Sequence, residues 1–284
     1  RFLFVLPWEG HTLIGTTDVK GEARTLPTPP ESDIDYLLKE GGKYLLNKPK
    51  RDDVQSAWTG WRPLAVDPNV QGKQVSRDHV ISQNPTTKTW FIAGGKWTTW
   101  REMAKDLLDQ IYPEIPCKTL DIILWGGSKE FDFDESVKAL QTQYKNEIPL
   151  DIAKHLVRTY GIYASHVLAC TLPGGSANVN HDDFDRIVPN FPYIQKEIVF
   201  ACTMEYACTV EDVLSRRTRL AFLDKQAALD AIPVVAEIMA QTLGWSKSTK
   251  NKQIQAANMY IASYGGKTKN NNEDDDNRKI ATAA

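Results

Sequence analysis

The feature that most constrains this chain is a change in the spacing of its apolar residues near residue 99. Before that point, short apolar runs such as 2–6 and 90–93 are separated by glycine, proline and asparagine, a pattern typical of strands and turns. After it, apolar residues recur every three or four positions, which is typical of helices that pack on a core. The pattern predicts an α+β fold in which a strand-rich part precedes an all-helical part.

This division predicts three regions: a strand-rich domain over 1–120, an all-helical domain over 121–264, and a polar tail over 265–284. The tail lacks aromatic residues and is expected to be disordered. In the first region, a hairpin is predicted around Glu9–Gly10, a helix over 29–46, and a strand over 54–66. In the second, Thr209 and Asp212 occupy the positions of a capping box, and Pro233 is expected to kink or split its helix.

Composition excludes several function classes. The 284 residues are 42% hydrophobic and 25% charged with a net charge of −2, which argues against nucleic acid as a partner because phosphate binding needs a basic face. The longest apolar runs fall far short of the roughly 20 residues that a bilayer-spanning helix needs. The four cysteines show no C-x-x-C spacing and no histidine at the ligand spacing of a known metal motif, so buried reduced thiols are expected rather than disulfides or a metal site.

The stretch IAGGKWTTW, residues 92–100, places two glycines and a lysine between a predicted strand and a helix expected to begin near Thr98. Gly94 and Gly95 would let backbone approach a ligand closely, and the helix start offers unpaired N–H groups beside the Lys96 cation. Such a combination suits a phosphate or negative charge that develops during a reaction. On spacing alone, such a motif is more often a loop with a surface lysine.

Two further stretches carry cations. In SAWTGWRPL, residues 56–64, Arg62 precedes a proline, and its planar guanidinium suits bidentate contact with phosphate or carboxylate. In SRDHV, residues 76–80, Arg77 and His79 would share one face if the segment were a strand. The simpler interpretation is that both arginines are exposed to solvent.

Taken in order, these stretches resemble the FAD-dependent glycerol-3-phosphate dehydrogenase family. The resemblance runs from about residue 2 to 246 and rests on FLFVLPWEGHTLIGTTD, SAWTGWRPL, SRDHV, IAGGKWTTW and EYACTVEDVLSRRTRLAFLD together with AIPVVAEIM. It implies the C-terminal portion of such an enzyme: a strand-rich substrate- and FAD-binding portion of the D-amino-acid-oxidase type, followed by an all-α domain. The family's glycine-rich FAD fingerprint would precede Arg1, so the interpretation is a truncated or processed chain, or a partner chain that supplies that half.

The resemblance implies oxidation of sn-glycerol 3-phosphate to dihydroxyacetone phosphate, with electrons passed to membrane quinone. It also implies peripheral attachment to the mitochondrial inner membrane, or to the cytoplasmic membrane in a bacterium, and a homodimer or a partner chain. Arg62 and Lys96 are implied as catalytic residues, and both bind the substrate together with Arg77. The implied FAD contacts are Gly94, Gly95, Lys96, Trp97, Thr98 and Thr99.

The resemblance assigns no catalytic base in this chain, because the proton acceptor of the family is expected in the N-terminal half. Two alternatives remain: a glycerol-3-phosphate oxidase that uses oxygen, and a non-catalytic subunit of a respiratory complex. The sequence does not distinguish quinone from oxygen as the electron acceptor. An intact GGKWTT stretch together with Arg62 favours catalysis over a structural role.

Overall fold

The computed structural model describes residues 3–66, 75–76, 78–145, 147–173 and 185–266. By its internal contacts the chain divides into a larger unit, residues 1–59 and 125–284, and a smaller unit, residues 60–124. The spacing of apolar residues instead predicts a division at residue 120, and that domain boundary stays a prediction. Of the polar tail, 267–284 lie outside the described residues, whereas Gly265 exchanges two backbone hydrogen bonds with Ala57.

The larger unit combines one hairpin with a helical bundle. Its elements are β1 (Phe4–Trp8), β2 (His11–Gly15), α1 (Glu31–Gly41), α3 (Phe133–Gln143), α4 (Leu150–Tyr160), α5 (Ala164–Ala169), α6 (Gln195–Met204), α7 (Leu220–Leu223), α8 (Lys225–Leu243) and α9 (Lys247–Ala262), numbered with α2 of the smaller unit in chain order. Strands β1 and β2 pair antiparallel around Glu9–Gly10 with Leu6 opposite Leu13, which confirms the predicted hairpin.

The core of the larger unit centres on α8, which packs against α6, α7 and α9. Its fully buried side chains include Ile232, Val235 and Met239, which recur at helical spacing. A second cluster joins α3 and α4 through residues such as Leu140 and Leu156. Within the described ranges, no helix combines enough length with enough apolar character to cross a lipid bilayer.

The predicted capping box is confirmed. The backbone N–H of Thr209 donates to Asp212 Oδ2 at 2.9 Å, and the N–H of Asp212 donates to Thr209 Oγ1 at 3.1 Å. The turn that they start continues as a π-helix over Asp212–Arg217 and stops at Arg219, whose backbone is left-handed at φ 61°. The reciprocal hydrogen bonds satisfy two donors that a helix start would otherwise leave unpaired.

Pro233 does not split its helix, because α8 runs without a break from Lys225 to Leu243. Of the two predicted outcomes, the split was therefore wrong, and a kink at Pro233 stays a prediction. Pro233 lies on the exposed face of α8, between Ile232 and Val235, which are buried. Pro233 has no N–H to donate to the carbonyl one helical turn earlier. Because that carbonyl lies on the same exposed face, water can replace the missing hydrogen bond, while the packing of the buried face keeps the helix continuous.

The described residues of the smaller unit form two short antiparallel strand pairs and one α-helix. Strand β3 (Ala65–Val66) pairs with β4 (Val75–Ser76), β5 (Val80–Gln83) pairs with β6 (Trp90–Ala93), and α2 spans Trp100–Ile111. The strand predicted over 54–66 was wrong for most of its length, since only Ala65 and Val66 are in a strand. Pro63 cannot donate a ladder hydrogen bond, and the N–H of Leu64 turns back to the carbonyl of Arg62 at 2.8 Å.

Few side chains of the smaller unit are buried. Among its described residues, the buried apolar side chains are Ala65 and Val80, and α2 has no buried residue. Large apolar side chains are exposed instead, including Phe91, Trp97, Trp100, Leu108, Leu120 and Leu124. A unit with this little internal core gains little stability from its own packing.

Candidate functional site

The GGK turn, residues 94–96, connects β6 to α2. Gly94 and Gly95 both have left-handed backbones, with φ of 79° and 74°, and Lys96 is extended. A 3-10 turn over Trp97–Thr99 then leads into α2, so the α-helix begins at Trp100 rather than near Thr98. Two successive residues at positive φ explain the glycines, because other residues adopt this conformation at a cost of about 1 kcal/mol or more each.

The glycines of the turn are also fixed by close packing inside the smaller unit. A Cβ on Gly94 would lie 3.1 Å from the carbonyl oxygen of Asp78, and one on Gly95 would lie 2.7 Å from Met103 Sδ. Both added Cβ atoms would therefore clash with other atoms of the protein. Internal packing and backbone conformation therefore explain the glycines, which the sequence argument had ascribed to the approach of a ligand.

The outer side of the turn is open. Lys96, Trp97, Thr98 and Thr99 are exposed, Trp97 by 90%. The Thr99 hydroxyl donates to the Lys96 carbonyl at 3.0 Å and helps to close the first turn. No carboxylate in the described part of the chain forms an ion pair with Lys96. The turn thus presents a cation and hydroxyl groups beside the N-terminal end of a helix, a combination that attracts anions.

Arg62 belongs to a segment that reaches the same turn. The carbonyl oxygen of Pro63 lies 3.5 Å from a Cβ built on Gly94, so the residue next to Arg62 packs on the first glycine. The Arg62 side chain is exposed. The structure therefore brings together the WRPL and GGK segments that are distant in sequence. Arg77, the third predicted cation, lies outside the described residues.

The sequence did not single out a contact between a histidine and an aspartate next to the turn. His79 Nε2 lies 2.9 Å from Asp106 Oδ2, and both side chains line an open cavity of about 380 Å³ together with Val80, Ile81, Asp109 and Gln110. The sequence pattern indicates His79 only as a residue on the same face as Arg77 that could reach a site, and it gives no indication of Asp106. Met103 and Asp106 are three residues apart on α2 and therefore lie on the same face of the helix. That spacing is the signal in the sequence that could have indicated that this face contacts the turn.

Two family models match this chain. Residues 1–105 match the model of FAD dependent oxidoreductases, and residues 117–250 match the model of the C-terminal domain of alpha-glycerophosphate oxidase. Over 271 residues the chain is 37% identical to a probable mitochondrial glycerol-3-phosphate dehydrogenase of Caenorhabditis elegans, covering 92% of this chain. The chain matches the C-terminal portion of FAD-dependent glycerol-3-phosphate dehydrogenases, as its sequence predicted.

Other similar proteins match the chain over nearly the same length. A mitochondrial glycerol-3-phosphate dehydrogenase of Mus musculus is 37% identical over 273 residues, and one of Arabidopsis thaliana is 35% identical over 282 residues. The chain spans 36% of the length of the Caenorhabditis and Mus proteins and 43% of the Arabidopsis protein. The structure of the glycerol-3-phosphate dehydrogenase from Bacillus halodurans, complexed with FAD, superposes with a TM-score of 0.71 at 24% identity, covering 92% of this chain and 51% of that one.

These matches confirm the predicted α+β fold, with an FAD dependent oxidoreductase part followed by a helical domain. The predicted cofactor, FAD, is the one named by the family model over residues 1–105. The individual assignments of Arg62, Arg77, Lys96 and the 94–99 contacts remain predictions. The open cationic turn and the adjacent WRPL segment are the features on which they depend.

Proposed function

We propose that this chain is the C-terminal part of an FAD-dependent glycerol-3-phosphate dehydrogenase that oxidises sn-glycerol 3-phosphate to dihydroxyacetone phosphate. The observation that carries the proposal is the GGK turn, where an exposed lysine without a described carboxylate partner stands beside the WRPL segment. FAD, when bound, supplies the acceptor for the hydride that leaves C2 of the substrate. The family match over 1–105 supports this cofactor.

In this proposal the residues of the chain bind and stabilise charge. Lys96 places a positive charge where electron density increases during hydride transfer, and Arg62 binds the substrate phosphate through its planar guanidinium. Arg77 is a second cation for that phosphate. Gly94, Gly95, Trp97, Thr98 and Thr99 contact FAD through backbone groups, the indole and the hydroxyls. The proton of the C2 hydroxyl is accepted by a residue outside 1–284.

The proposed protein also needs an FAD-binding half with a glycine-rich fingerprint, on the same polypeptide or on a partner chain. We further propose that the electrons pass to membrane quinone, that the protein is a peripheral protein of the mitochondrial inner membrane or of a bacterial cytoplasmic membrane, and that it forms a homodimer. The mitochondrial names of the relatives support the first of these two locations. A partner chain that supplies the N-terminal half is the alternative to the homodimer.

The central test is anaerobic reduction of the flavin-loaded protein by glycerol 3-phosphate, measured as loss of flavin absorbance. The native protein is expected to be bleached. Lys96→Ala should lower kcat/KM about a hundredfold, because losing one fixed group that stabilises transition-state charge costs on this order. Lys118→Ala, which removes another lysine of the smaller unit, should leave the rate unchanged. Equal rates for the native protein and Lys96→Ala would contradict the role of Lys96.

One observation favours a second candidate for the electron acceptor. The model that matches residues 117–250 is described by an oxidase rather than a dehydrogenase. Production of hydrogen peroxide in air, without reduction of an added quinone, would identify oxygen as the acceptor. A purified protein that stays colourless with FAD and with its co-purifying chains would instead indicate a non-catalytic subunit.

A further inference from the structure

His79 and Gly94 lie opposite each other at one end of a hairpin. The antiparallel register of β5 and β6 ends with Val80 opposite Ala93, and the next residue on each side is His79 or Gly94. The carbonyl oxygen of Asp78 lies 3.1 Å from a Cβ built on Gly94. The backbone around His79 is therefore in direct contact with the GGK turn.

The side chain of His79 continues this contact towards α2. A Cβ on Gly95 would lie 3.1 Å from His79 Cβ and 2.7 Å from Met103 Sδ. Gly95 therefore packs between His79, which immediately precedes β5, and Met103 of α2. One turn along α2 from Met103, Asp106 Oδ2 lies 2.9 Å from His79 Nε2. The imidazole thus joins α2 to the hairpin directly beneath the turn that carries Lys96.

The other carboxylate of this cavity has a different partner. Asp109 Oδ2 lies 2.5 Å from Lys105 Nζ on the same helix and is part of an i, i+4 pair. A helical i, i+4 pair joins two residues of one element and fixes no second element. The His79–Asp106 pair, by contrast, spans two elements and is partly shielded, with side chains 23% and 39% exposed.

From this arrangement we infer that His79 and Asp106 are positioning residues that fix the GGK turn against α2 and thereby set the place of Lys96. The effect on catalysis rests on the proposed function, which assigns a role to Lys96. The attachment of the GGK turn to α2 rests only on the contacts within the smaller unit. The pair contacts neither substrate nor cofactor in this scheme. It acts through the turn, in the way that outer-shell partners orient the groups that do the chemistry.

The first test measures amide hydrogen exchange of residues 94–99 in the purified protein. His79→Ala and Asp106→Ala are each expected to accelerate exchange there about tenfold or more, because the turn loses its attachment to α2. His79→Gln, which can still donate from its amide to Asp106, should retain slow exchange. Asp109→Ala removes a carboxylate from the same cavity and should have no effect on the turn. Unchanged exchange in α8 shows that each variant is folded.

The second test measures flavin reduction by glycerol 3-phosphate in the same variants. The expected result is a fall in kcat of about ten- to a hundredfold for His79→Ala and Asp106→Ala with a smaller change in KM, and recovery in His79→Gln. Rapid exchange of residues 94–99 in the two alanine variants, with no reduction of the flavin in the native protein, would support the positioning role and refute the proposed function. Slow exchange of 94–99 in both alanine variants would overturn the inference, whatever the activity.

Discussion

Among the described residues of the helical bundle, Glu197 is the most enclosed carboxylate, at 3% exposure. Its two oxygens accept hydrogen bonds from the Tyr160 hydroxyl at 3.0 Å and the Ile194 N–H at 2.8 Å, and His155 Nε2 lies 2.8 Å from Oε1. Burial lowers the pKa of His155, but the charge and hydrogen bond of Glu197 outweigh it, so the pKa lies above its usual 6.5. Glu9 raises the pKa further and Arg158 opposes it.

This histidine predicts a pH dependence of stability. Because its pKa is higher in the folded than in the unfolded protein, its contribution to the free energy of unfolding is complete below about pH 6.5 and is lost as the pH rises through the folded pKa. Urea unfolding followed by circular dichroism should therefore show a falling midpoint over that interval. His155→Gln should abolish this component. An equal decline in the variant would contradict the assignment.

Gly94 allows a second prediction at the level of one residue. Gly94 and Gly10 have nearly equal φ, 79° and 78°, but a Cβ on Gly10 meets no atom within 4 Å. Gly10→Ala should therefore lower the free energy of unfolding by about 1 kcal/mol, from backbone strain alone. Gly94→Ala should cost more, because its methyl group meets a backbone carbonyl that cannot rotate away. Equal losses in urea titrations would show that the close contact has no effect.

At the level of an element, the start of the helix at Thr209 depends on side-chain caps. Asp212 also accepts from the N–H of Cys208 at 3.0 Å, and although burial raises the pKa of Asp212, these hydrogen bonds and Arg216 lower it overall. Thr209→Ala is expected to reduce the free energy of unfolding by about 1 kcal/mol. The control is Thr142→Ala, whose hydroxyl donates within α3 to Lys138 and caps no helix. A loss no larger than that of the control would count against the cap.

The elements also show how far the sequence could predict this fold. The β1–β2 hairpin and the Thr209–Asp212 cap were predictable because a turn and a capping box are local, and their signals lie within a few residues. The segment over 54–64 was not, because its tryptophans favour a strand while its hydrogen bonds go to distant partners. The Ser56 side-chain hydroxyl donates to the Ala221 carbonyl at 2.7 Å, and the backbone of Ala57 pairs with that of Gly265. Tertiary contacts determine the conformation there.

The candidate site also has one part that the sequence predicts and one part that it does not. The GGK turn was predictable because paired glycines after a strand indicate an unusual backbone, although the exact start of α2 was not. The His79–Asp106 pair joins residues 27 positions apart in sequence, on two elements whose packing no local pattern specifies. Its detection needed the structure.

At the level of the whole molecule, the two units differ in how much side-chain area they bury. Amides in α8, which carries nine buried residues, should exchange at least about a hundredfold more slowly than amides in α2, which carries none, after correction for intrinsic rates. Helix α3, with two buried residues, should be intermediate. Hydrogen exchange followed by mass spectrometry measures all three. Equal protection of α2 and α8 would contradict the assignment of the core to the larger unit.

The exposed apolar side chains of the smaller unit have a consequence for the biogenesis of this protein. Leu120, Ile122, Ile123 and Leu124 lie within the five-residue segment 120–124, and each is at least half exposed. Newly synthesised chains that expose such segments associate with one another or with chaperones. Cellular yield should therefore be limited by how quickly this segment is shielded after synthesis, rather than by the folding of the helical bundle.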